Sequence, residues 1–266
     1  MSRTLLVTRN ELRLLRRDPF PLFVLVGMPG VLLFFVSDAL IGGPAHSVPA
    51  LASLFALLGT GSMGFSFFRE HGWGTWDRLR IAPIRTIEIV TGKAIPMLAV
   101  TAAQQLLLVA VGLATFGLEV PGGAAQLVIT ALACAATYVT LAIAMTSLCR
   151  TMSQLNAASM LGTMAVAGAG GAIAQITTLP DWVQTIAPAS PVYWAIDAYR
   201  SVLAGEQGFS RAIAMLLGFT ALFIAITLWQ FRADKPKDEP SAFLGVRAAG
   251  LGGGQVSSRP RASKLV

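Results

Sequence analysis

The sequence predicts an all-α membrane protein. It has six transmembrane helices, an N-terminal interfacial helix, a short cytoplasmic helix and an outer re-entrant helix pair before the last span. Three observations point there. About 55% of the 266 residues are apolar and only 12% are charged, against roughly 25% charged in an ordinary soluble domain. The mean hydropathy is +0.67, and six apolar runs each approach or exceed the ~20 residues that cross a hydrocarbon core. Lysine and arginine are sorted between alternate loops. Such a composition excludes a disordered chain and argues against a soluble enzyme.

The first element is residues 3–17. At 100° per residue, Arg9, Arg13, Arg16 and Arg17 fall on one side of a helix and Leu5, Leu12 and Leu15 on the other. A basic amphipathic helix of this kind lies in the headgroup layer; a plain positively charged anchor is the simpler alternative. Asp18-Pro19 ends it, because the residue before a proline disfavours helix. No apolar core followed by small residues marks a cleavable signal here.

The spans follow as 20–41, 50–68, 94–117, 125–149, 155–176 and 212–231. Gly27, Pro29, Gly59, Gly61 and Pro96 inside them do not demote them, since membrane helices tolerate both residue types. Of 20 Lys and Arg, all but Arg200 and Arg211 fall in the N-terminal segment, the loop 69–93, the turn at Arg150 or the tail. The positive-inside rule then places both termini in the cytoplasm of a plasma-membrane protein. The net charge of +7 is thus a topology signal rather than a nucleic-acid surface.

Loop 69–93 mixes both charge signs. Thr75 can cap a short helix from Trp76 to about Ala82, which Pro83 ends. A Trp with several Leu and Ile and paired charges suits docking to a cytosolic partner. The alternative is a solvated connector whose Trp73 and Trp76 sit in the interface belt.

The outer stretch 177–210 is too polar for a span and too apolar for a free loop. Pro180, Pro188 and Pro191 divide it into two short helices, near 181–186 and 192–204, with Asp197 and Arg200 as an i,i+3 pair. Non-helical backbone at membrane depth requires cover by protein or a water cavity, hence a re-entrant pair; a surface-lying cap is the alternative. The domain reading is therefore 1–19 interfacial helix, 20–231 six-span domain and 232–266 disordered basic tail.

Catalytic and metal chemistry find no support. Cys134 and Cys149 share one apolar run, and His46 and His71 are far apart, so neither a disulfide framework nor a metal site is expected. No GxxxxGK[ST] occurs, so no phosphate-binding loop is expected. The polar groups in the spans are Gln104, Gln105, Thr137, Tyr138, Thr140, Asn156 and Gln175, each a candidate for a helix–helix hydrogen bond. No buried Lys or Glu is expected to mark an ion path.

Two segments carry a resemblance. Glu70–Lys93, with Gly74-Thr75, Leu79, Ala82-Pro83-Ile84 and Gly92-Lys93, resembles the cytoplasmic loop of type-2 ABC-transporter permeases. Ser190-Pro191, Trp194-Ala195, Asp197, Arg200 and Gly205 resemble that family's segment before its last helix. The resemblance covers roughly residues 1–231 and extends to the topology; the drug and antibiotic export branch is the most similar. It implies a permease subunit, without catalytic residues, that pairs with a second permease copy and two cytosolic ATPase subunits. ATP and Mg would sit on the ATPase and no cofactor on this chain. The coupling helix falls on Gly74, Thr75, Trp76, Asp77, Leu79, Arg80 and Pro83, with Glu70 at the acidic position ending span two. The outer motif falls on Pro191, Trp194, Asp197 and Arg200.

The apolar interior suits a lipophilic drug, natural product or lipid-like cargo moving outward. A lipid-linked glycan or polysaccharide exporter, and an ATP-independent secondary transporter, are the alternatives. Small residues in span five (Ala158, Gly162, Ala165, Gly168, Gly171, Ala172) suit close packing, either across a permease dimer or within one subunit.

Overall fold

The computed structural model describes residues 3–17, 20–36, 43–72, 86–149, 151–205 and 207–233. Among these the chain is helical, without strands. The α-helices are α1 (Arg3–Arg17), α2 (Phe20–Val36), α3 (Pro44–Gly72), α4 (Thr86–Phe116), α5 (Gly123–Leu148), α6 (Met152–Ala169), α7 (Asp181–Ile186), α8 (Pro191–Ala204) and α9 (Phe209–Ala233). Two 3-10 turns, Ile176–Thr178 and Ala187–Ala189, flank α7. Three helical segments are long and apolar enough to cross a membrane: Ile87–Phe116, Gly123–Leu148 and Phe209–Gln230.

The centre of the bundle is α5, and its sequence explains why. Its buried stripe is mostly small: Ala131, Ala133, Cys134, Ala135, Ala142 and Ala144, with Tyr138, Val139 and Ile143 the larger members. Small side chains let neighbouring backbones approach closely, so α3, α4, α8 and α9 all pack against it. By contrast α9 turns Leu217, Leu222 and Trp229 outward. A similar close approach joins α3 to α5 and α6: a Cβ on Gly64 would lie 2.5 Å from the Leu155 side chain and 2.8 Å from that of Thr146.

On α1, Leu5, Leu6 and Leu12 are exposed and do not make its contact with the protein. The face packed on α4 is Thr4, Val7, Thr8 and Glu11, an i, i+3, i+4, i+7 stripe. Arg9, Arg13, Arg16 and Arg17 are exposed on the opposite side. The side chain of Leu15, and residues Asp18-Pro19, lie outside those described.

The fifth apolar run stops short of its expected end. α6 closes at Ala169, because Gly171 takes φ +84°, a conformation that side-chain-bearing residues rarely adopt. Ala172 N–H then donates back to Ala167 O at 2.9 Å. The small residues of this run therefore divide: Ala165 is exposed on the helix, while Gly171 and Ala172 are buried beyond it.

Candidate functional site

One end of the bundle, which the sequence analysis expects to face outward, is built around α8. Ser190 is its N-cap: its hydroxyl accepts from Val192 N–H at 3.2 Å and donates to Val166 O near the end of α6 at 2.7 Å. Pro191 follows at the first helical position, where its fixed φ and missing N–H suit a helix start, and is buried. A Cβ on Gly170 would lie 2.6 Å from that of Val192, so α6 and α8 meet at backbone distance. Gly205, at φ +69°, ends α8 in the left-handed conformation.

Trp194 is almost wholly buried. Its indole N–H donates to Pro188 O at 2.8 Å, Tyr193 meets it edge-on, and the Arg211 guanidinium lies 5.3 Å from its ring centre, within cation–π range. Asp197 and Arg200 are half-buried on the same helix. Ser201 donates to Asp197 O at 3.0 Å. The four outer-motif residues therefore share one packed element.

Two further residues, not singled out as site residues from the sequence, tie this element down. Tyr199 O–H donates to Gln105 Oε1 of α4 at 2.8 Å. His46, ahead of span two, donates from Nε2 to Gly171 O at 3.1 Å. Burial lowers the His46 pKa, the Arg200 charge lowers it further, and the bond to Gly171 opposes them. Tyr199 sits in the same stretch as the outer motif, between Asp197 and Arg200; nothing local marks His46.

Deeper in the bundle, the polar groups pair helix to helix. Thr137 of α5 reaches Leu216 O at 3.1 Å and the Thr220 hydroxyl at 3.0 Å on α9. Gln104 and Tyr138 are fully buried, and the side-chain amide of Gln104 has no hydrogen-bond partner among the described residues. Asn156 is exposed and Gln175 half-buried.

The opposite end of the bundle is framed by α3, α4 and α1. Glu70 lies in the last turns of α3, its side chain outside those described; Gly74, Thr75, Trp76, Asp77, Leu79, Arg80 and Pro83 also lie outside. Lys93 is fully buried, and its Nζ meets Glu11 Oε1 at 2.8 Å. A buried Lys and Glu therefore exist, at the junction of α1 and α4. Glu11 is the sole acidic residue among the four arginines of residues 9–17; that oddity was the available signal.

These elements define a polytopic α-helical membrane protein. The chain belongs to the ABC-2 type transporter family, whose profile matches residues 2–204. It is similar to the "Probable multidrug ABC transporter permease YbhR" of Escherichia coli strain K12, and to the protein of the same name in Escherichia coli O157:H7. Each is 25% identical over 156 residues, 58% of this chain and 42% of the relative's length. The match thus spans less than half of those relatives. No solved structure matches the chain.

Proposed function

We propose that the chain is the transmembrane permease subunit of an ATP-driven exporter that moves a lipophilic drug, natural product or lipid-like molecule out of the cell. The observation that supports this most is the family match over residues 2–204; the multidrug permease name of the relatives supports the cargo class. The bundle interior is in keeping with it, since Thr137 and Gln105 bond to other helices rather than line a charged path.

In this reading the chain crosses the plasma membrane six times with both termini inside, and α7–α8 form the outer re-entrant pair. A second permease copy and two cytosolic ATPase subunits complete the transporter, and ATP and Mg bind the ATPase. Glu70, Gly74, Thr75, Trp76, Asp77, Leu79, Arg80 and Pro83 transmit nucleotide-driven closure to the bundle. The permease then moves between two states that nucleotide biases.

The test is co-expression with P-loop ATPase subunits from the same genome, co-purification, and a substrate-stimulated ATPase screen. A stable complex stimulated by lipophilic compounds is expected. Trp76→Ala with Arg80→Ala should abolish stimulation while the spans remain folded. Failure to form a complex with any such ATPase overturns the assignment; full stimulation in the double variant overturns the coupling residues.

A further inference from the structure

The contact between α1 and α4 is built more tightly than an anchor requires. A Cβ on Gly92 would lie 2.7 Å from that of Val7 and 3.1 Å from Thr4 O, so only glycine allows the approach. Thr8 Oγ1 lies 3.0 Å from both Gly92 O and Thr4 O. One residue on, the Lys93 side chain is 0% exposed and that of Glu11 10%, with 2.8 Å between the charges. Register, rotation and depth of α1 on α4 are each fixed by a separate contact.

A buried ion pair is a poor device for stability alone, because desolvation cancels most of its attraction and apolar residues of the same volume serve as well or better. Its distinctive property is intolerance of misalignment: once the helices slip, the Glu11 carboxylate is left buried away from the ammonium that compensates it. Lys93 lies seven residues into α4, roughly 10 Å along the axis from its cytoplasmic start at 1.5 Å per residue. We infer that Glu11 and Lys93 are positioning residues forming a latch that makes α1 and the cytoplasmic end of α4 one rigid lever, so that any displacement of that end carries the interfacial helix with it. The four exposed arginines on the far side of α1 then sweep the headgroup layer as the lever moves. The transport consequence rests on the function proposed above; the docking consequence does not.

Two readouts separate them. With Cys134→Ala and Cys149→Ser removing native thiols, nitroxides at Arg9→Cys and Ile95→Cys report the α1–α4 separation in the full-length protein by pulsed electron resonance. One narrow separation is expected in the otherwise native chain, and a broad one in Lys93→Met, whose unpaired Glu11 must leave its site to be solvated. The exchanged pair Glu11→Lys with Lys93→Glu, and the apolar pair Glu11→Leu with Lys93→Met, keep the region folded and should narrow it again. In the complex with the ATPase, Lys93→Met should lower transport per ATP hydrolysed by about tenfold, within the range of ordinary coupling energies, and the exchanged pair should restore it. An unchanged separation in Lys93→Met overturns the latch, as does lost transport with α1 still docked. If the native chain moves no cargo with any ATPase, the function proposed above falls, and the separation still decides the latch.

Discussion

His46 shows at the scale of one residue how the end of the bundle around α8 is sensitive to solution conditions. Its Nε2–H bonds to Gly171 O, and its Nδ1 is buried with no hydrogen-bond partner among the described residues. Protonation there would place a second N–H, and a charge, where no acceptor waits and Arg200 already contributes positive potential. The folded pKa is therefore below the ordinary 6.5, and the unfolded chain binds the proton more readily. The linkage sign follows: the contribution is fully present above about 6.5 and is lost as pH falls through the folded pKa. The thermal midpoint of the purified protein should fall on moving from pH 7.5 to pH 5, and His46→Gln, which keeps an N–H for Gly171, should flatten that dependence. An identical slope in the variant would reassign the effect to other groups. The sequence alone showed His46 only as half of a histidine pair too distant to bind a metal. Its partner is a backbone carbonyl 125 residues away, which no local pattern encodes.

At the scale of elements, the join between α6 and α8 rests on one hydroxyl. Ser190 caps the start of α8 and bonds to Val166 O in the last turn of α6. Ser190→Ala removes both bonds, and loss of a serine cap costs about 1–2 kcal/mol. For a chain of this size, each kcal/mol corresponds to a fall of roughly 2–4 °C in thermal midpoint. Amide exchange at Val192 and Tyr193 should accelerate in the variant, while exchange in the middle of α5 remains slow. An unchanged midpoint and exchange pattern would show that the packing of Val192 on Gly170 holds the join unaided. The two short outer helices were legible in the sequence to within a residue or so, because prolines 180, 188 and 191 punctuate them and Ser190 precedes the second. The end of α6 was not, because an apolar run continues to Ile176 while the backbone turns at Gly171. The packed face of α1 was missed for a related reason. Hydrophobicity sorts residues by their liking for water, whereas this helix meets its neighbour through two threonines, a carboxylate and a single valine, and leaves leucines outside.

Over the whole molecule, contacts far apart in sequence sort into two ends. Val7 meets Gly92, and Gly64 meets Thr146 and Leu155. At the opposite end His46 meets Gly171, Val48 packs on Gly112, and Gly122 N–H bonds to Val202 O at 3.1 Å. This division agrees with the charge sorting, since Arg9, Arg13 and Lys93 lie at the first end and Arg200 and Arg211 at the second. Two independent criteria, packing and lysine–arginine placement, thus select the same up-and-down threading. Because moving basic loops across a bilayer is disfavoured, the first end is expected in the cytoplasm. Single cysteines in a cysteine-free background test this with a membrane-impermeant maleimide on intact cells. Glu119→Cys and Asp181→Cys, both at exposed positions of the second end, should label before lysis. Arg9→Cys and Thr151→Cys, exposed at the first end, should label only after it. The inverse pattern would reverse the orientation, and labelling of Glu119→Cys and Thr151→Cys from the same side would remove α5 as a span.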